Sequence, residues 1–102
     1  MPHLARAMLG REQLLGADHQ ETLFTLYNIA AAQIAAGLES DALASSLDCY
    51  ERNARVYGDP HPETTYAIEL VAMSYELIAE SGDADATINA RRWRQRHADA
   101  GG

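Results

Sequence analysis

Apolar residues recur three and four positions apart in five stretches of this chain, a spacing that places them on one face of an α-helix. The first stretch runs from about His3 to Leu15, with Leu4, Met8, Arg11 and Leu15 in line and Ala7 and Leu14 beside them. The second runs from about Gln20 to Ala36 on Leu23, Leu26, Tyr27, Ala30 and Ile34. The third covers about Glu39 to Tyr57, where Leu43, Leu47, Tyr50, Ala54 and Tyr57 give the most regular stripe. A fourth starts near Pro62 with Ala67, Leu70, Val71, Ser74, Leu77 and Ile78 as its inner face. The fifth, from about Ala84 to His97, has a thinner face of Ala86, Ala90, Trp93 and His97, with Ile88 nearby. No strand candidate appears, so the pattern predicts an all-α fold of five helices.

The breaks between stretches carry helix-ending chemistry. Gly16 and Gly37 stand where a helix C-terminus favours glycine. Gly58-Asp59-Pro60 and Ser81-Gly82-Asp83 are stop and turn signals. Asp18 with Glu21 three residues on is a candidate capping box, and Pro62 suits a first helical turn. The links are only two to five residues long. Links that short make neighbouring helices antiparallel. Ala98 to Gly102 reads as a frayed tail.

The chain also repeats itself. Gly16-Ala17-Asp18-His19-Gln20-Glu21-Thr22 returns 42 residues later as Gly58-Asp59-Pro60-His61-Pro62-Glu63-Thr64. Ile29-Ala30 and Val71-Ala72 stand at matching places inside the helices that follow. A fixed period of this length marks a helical solenoid, in which stacked pairs bury a core that one pair cannot.

With Asn28-Ile29-Ala30, Gly37 and Ala42 added, the pattern resembles tetratricopeptide repeats. More narrowly, it is similar to the 42-residue subtype of kinesin light chains and of many bacterial helical-repeat proteins. The segments Leu15 to Leu23 and Tyr57 to Thr65 match that subtype's repeat start, and the likeness covers about residues 5 to 80. The resemblance implies a single domain over 1–102, an antiparallel helix-pair solenoid of about two and a half repeats. Residues 3–15 would be a half repeat, 16–57 a full repeat, 58–97 a divergent repeat with a capping helix, and 98–102 a tail. Gly82 falls three residues later than Gly37 would place it. That is nearly one helical turn, so the next helix keeps roughly the same facing.

Composition narrows the class of function. The chain has 102 residues and a formal net charge of -7. Residues 1–80 carry a balance of -8, and residues 91–102 a balance of +3. An acidic body argues against general nucleic-acid binding, which needs a basic footprint. Nineteen alanines, eight arginines and no lysine suggest a GC-rich, bacterial coding sequence. The single Cys49 has no internal partner, which points to a reducing cytoplasm. The N-terminus lacks a signal-peptide pattern, and no apolar run reaches the roughly 18 residues of a membrane span.

Candidate chemistry is sparse. His19 and His61 hold equivalent helix-start places, where a side chain bonds free backbone N–H groups, and no third ligand is patterned around either. His3 and His97 read as surface residues. Cys49 reads as a small packing residue. Arg91, Arg92, Arg94 and Arg96 around Trp93 form a basic cluster. That cluster suits a phosphate or nucleic acid, a helix C-terminus, or the acidic body of a second copy. No phosphate loop, zinc spacing or catalytic triad is visible, so no catalytic residue, metal or cofactor is expected.

Helix phase puts Phe24, Tyr27, Asn28, Ala31, Tyr66, Glu69, Leu70 and Met73 toward the concave side. They read equally as a recognition groove or as core between repeats. The resemblance implies that Asn28 grips a peptide backbone, although its second-repeat equivalent is Leu70, and Asn28 reads equally as a solvated helix residue. The expected function is a protein–protein interaction module that binds a peptide or protein segment in this groove. The alternatives are a regulatory or assembly fragment of a larger signalling protein, suggested by the opening half repeat, and a small helical enzyme. The uncovered stripe of Leu4, Met8 and Leu15 further predicts a homo-oligomer formed through a terminal helix.

Overall fold

The computed structural model describes residues 19–102, and these form four α-helices: α1 (Gln20–Ala35), α2 (Glu39–Tyr57), α3 (Pro62–Ala79) and α4 (Ala84–Asp99). No strand occurs among the described residues. The expected helix over His3 to Leu15, and Asp18 of the expected capping box, lie outside them. The starts of α1 and α3 are 42 residues apart, matching the sequence period.

The two starts are built alike. His19 and His61 are N-caps, and in each the imidazole Nδ1 accepts a hydrogen bond of 3.1 Å from the backbone N–H two residues on, at Glu21 and Glu63. The repeated histidine therefore satisfies an orphan donor at each helix start. Thr22 and Thr64, also equivalent in the repeat, are both fully buried. Thr64 donates its hydroxyl to the Gly58 carbonyl at 2.6 Å, fastening the start of α3 to the turn before it.

α1 ends at a glycine whose backbone only glycine adopts easily. Gly37 has φ +73°, its N–H bonds to Ile34, and the Leu38 N–H bonds to Gln33. This is the Schellman closure. The same closure ends α4, where Gly101 (φ +89°) bonds to Ala98 and Gly102 to His97. The tail expected to fray is thus a capped helix end that begins after Asp99.

Consecutive helices pack against one another, and α1 also touches α3. α2 lies between α1 and α3. Its buried positions are Ala42, Ser46, Cys49 and Asn53. The larger stripe of Leu43, Leu47, Tyr50, Ala54 and Tyr57, which the sequence marks as the inner face, is only half-buried. A helix flanked on both sides needs small side chains where backbones approach, and this seam supplies them. Ser46 and Ser74 face each other across it at 3.0 Å, both fully buried.

The core is completed by Leu23, Leu26, Ile29 and Ala30 of α1 and by Ala67, Ile68, Leu70, Val71 and Ala72 of α3. α4 contributes only Ala86 and Ala90, and Ile88 is exposed rather than near the core. Polar contacts supplement this thin face. Arg94 forks onto Glu76 of α3, at 2.9 Å from Nε and 2.6 Å from Nη2.

Candidate functional site

Four aromatic side chains come together where the N-terminal halves of α1 and α3 meet the C-terminal end of α2. A cleft of about 680 Å³ opens there. Leu23, Phe24 and Tyr27 of α1, Asn53 and Tyr57 of α2, and Glu63 and Tyr66 of α3 line it, with Gln20 and Glu21 at the rim. Phe24 is 66% exposed and Tyr66 52%, so their rings stand in solvent as walls. The stacking of Tyr57 on His61 (centroids 4.7 Å apart, planes at 14°) ties the α2 end to the α3 cap.

The floor is polar on one side. Asn53 is 4% exposed, and its amide nitrogen donates to the Cys49 carbonyl at 2.8 Å and reaches Cys49 Sγ at 3.4 Å. The carbonyl needs a donor, so this fixes which end of the amide points where. Burial pushes the Cys49 thiol up to about 12, so this cysteine is a packing group and not a nucleophile. The Tyr27 phenol is also raised, first by burial and then by the Glu69 carboxylate, with smaller contributions from Cys49, Tyr66 and Glu63.

Of the eight residues expected on the concave side, the cleft gathers Phe24, Tyr27 and Tyr66. Asn28 is exposed and does not line it. Ala31 is half-buried against the core. Met73 is also half-buried, and Glu69 sits beside the α4 end, 3.8 Å from both Arg94 and His97. Leu70 belongs to the core, 3% exposed, with Leu26, Ala30, Cys49 and Ala67. α3 is covered by α1, α2 and α4 together, so a position that stays open on α1 is closed on α3. Asn53 and Tyr57 join the cleft from α2, which contributes none of the eight residues expected on the concave side.

Half of the basic cluster is engaged within the fold. Arg94 holds Glu76. Arg96 lies over the Trp93 ring at 4.3 Å and the Tyr50 ring at 4.8 Å, donates to the Tyr50 hydroxyl, and pairs with Asp59 at 3.3 Å. Trp93 meets Tyr50 edge-on at 5.1 Å. Two of the four arginines thus dock α4 rather than form a phosphate site.

Among the described residues no group of three or more His, Cys, Asp or Glu is placed to hold a metal ion, and no helix is long and apolar enough to cross a membrane. Comparison with protein-family models, with curated proteins and with solved structures found no match.

Proposed function

We propose that this chain is a tetratricopeptide-like solenoid that works as a protein–protein interaction module, with the cleft at the start of α1 and α3 receiving an extended peptide or protein segment. The observation that carries this reading is the pair of exposed rings, Phe24 and Tyr66, standing on either side of a cleft with polar groups at its base. Aromatic anchors in a partly enclosed pocket are what concentrate binding energy at protein interfaces. The 42-residue period and the shared histidine caps support the solenoid reading, since two hairpins begin in the same way.

The reading is tested by selecting peptides from a random displayed library on the wild-type chain and on the Phe24→Ala/Tyr66→Ala variant. Both side chains are exposed, so the variant keeps its helicity. Peptide families that bind the wild type and are lost on the variant support the groove. Families that bind both equally, or no enriched family at all, contradict it.

A further inference from the structure

The cleft offers hydrogen-bond acceptors and aromatic faces, and among the described residues that line it there is no Arg or His. Asn53 directs its amide nitrogen into α2, which leaves its side-chain oxygen without a donor among the described residues. That oxygen belongs to a side chain more than nine-tenths buried that lines the cleft. The Glu63 carboxylate stands at the rim, exposed and without an ion pair among the described residues. The hydroxyls of Tyr57 and Tyr66 can accept as well as donate.

The helix ends weigh against a cation, and their size can be compared. The N-termini of α1 and α3 each contribute about half a positive charge, and the α2 C-terminus returns about half a negative one. The Glu63 carboxylate then leaves the cleft net negative, even with Glu21 left out. The raised Tyr27 phenol agrees, since after burial the largest contribution comes from the Glu69 carboxylate and Glu63 adds to it.

Resting on the groove reading, we propose that the cleft takes the guanidinium of an arginine in an exposed segment of a partner protein. Phe24 and Tyr66 supply the aromatic faces, and Glu63 and the Asn53 side-chain oxygen are the acceptors. A guanidinium presents five donors in a plane and stacks on rings, whereas a lysine ammonium is a hydrated point charge. An anionic segment has no cation to meet among the described lining residues, and a purely apolar one would cover the Asn53 oxygen without a donor, at a cost.

The test is a nitrogen-15 NMR titration of the full chain with N-acetyl-arginine amide, and with the neutral N-acetyl-citrulline amide and N-acetyl-lysine amide beside it. The arginine probe is expected to move the backbone signals of Phe24, Glu63 and Tyr66 and the side-chain amide of Asn53. Glu63→Gln and Phe24→Ala should each weaken it about 3- to 10-fold, the size of one charge or one cation–π contact at a partly exposed site. Citrulline moving the same signals equally, lysine binding as tightly as arginine, or shifts as large at Glu39 and Asp41 as in the cleft would each overturn the proposal. Peptides that need Phe24 and Tyr66 but carry no arginine would overturn this inference and leave the groove standing. An arginine probe that binds while peptide selection fails would do the reverse. A chain that self-associates, and stops on Arg91→Ala/Arg92→Ala with the cleft signals shifting, would put a second copy there and refute the foreign occupant.

Discussion

Ser46 and Ser74 hydrogen-bond to each other at 3.0 Å in the interior between α2 and α3. Ser74 also gives its hydroxyl proton to the Leu70 carbonyl at 2.9 Å, so Ser46 is the donor of the pair. Removing Ser74 strands a buried donor, whereas removing both hydroxyls leaves two small apolar side chains. Ser74→Ala should cost about 1–3 kcal/mol, and Ser46→Ala/Ser74→Ala clearly less than the sum of the single changes. Urea unfolding of the four proteins checks this; additive effects would mean that the two hydroxyls are not coupled.

The histidine caps should be replaceable by other caps. His19→Ala and His61→Ala should each cost about 0.5–2 kcal/mol. Asn, which also accepts from the backbone, should restore nearly all of the loss at position 19. It should restore less at 61, because His61 also stacks on Tyr57. Thermal unfolding of the Ala and Asn variants at both positions measures the difference.

Arg96 holds the thin face of α4 to the turn between α2 and α3. Its guanidinium lies on Trp93 and Tyr50 and reaches Asp59, half-exposed throughout. Arg96→Lys keeps the charge and loses the planar contact, so it should cost about 0.5–1 kcal/mol, close to Arg96→Ala. Trp93 is the only tryptophan, so its emission reports this site directly. A red shift in both variants is expected, and an unchanged spectrum in Arg96→Lys would show that charge alone suffices.

Cys49 makes stability depend on alkaline pH. An unperturbed thiol ionises near 9.0, and the buried one only near about 12. Between these values the unfolded chain loses a proton that the folded chain keeps, so stability falls as pH rises through that window. The loss should approach about 4 kcal/mol at its upper end. Cys49→Ala removes this component, and comparing unfolding of the two proteins from pH 8 to 11 isolates it. Thiol reagents should label native Cys49 only as fast as the chain opens.

Helix positions were legible in the sequence because their punctuation is local. Gly37, Gly58-Asp59-Pro60, Pro62 and Gly82 each act within a few residues, and the described helices begin and end beside them. What lay outside local reach was pairing across the chain. Arg94 meets Glu76 and Arg96 meets Asp59 only because α4 folds back on α3. Periodicity also ranks large apolar residues first. It therefore selected Leu43, Leu47 and Tyr50 on α2 and passed over the small seam of Ala42, Ser46, Cys49 and Asn53 that is buried. The cleft was half legible for the same reason. Phe24, Tyr27 and Tyr66 are visible on α1 and α3, while Asn53 and Tyr57 reach it only through the packing of α2.

If the cleft is a binding site, Phe24 and Tyr66 form its wall. The direct measurement is calorimetric affinity for a selected peptide on three proteins: the wild type, Phe24→Ala/Tyr66→Ala, and Ile88→Ala. Ile88 is an exposed apolar side chain on α4, close to Tyr66 in its exposure, and does not line the cleft. Two lost anchors should weaken binding by about 10-fold or more, while Ile88→Ala leaves it unchanged. Equal affinity on all three, or an equal loss at Ile88, would contradict the account.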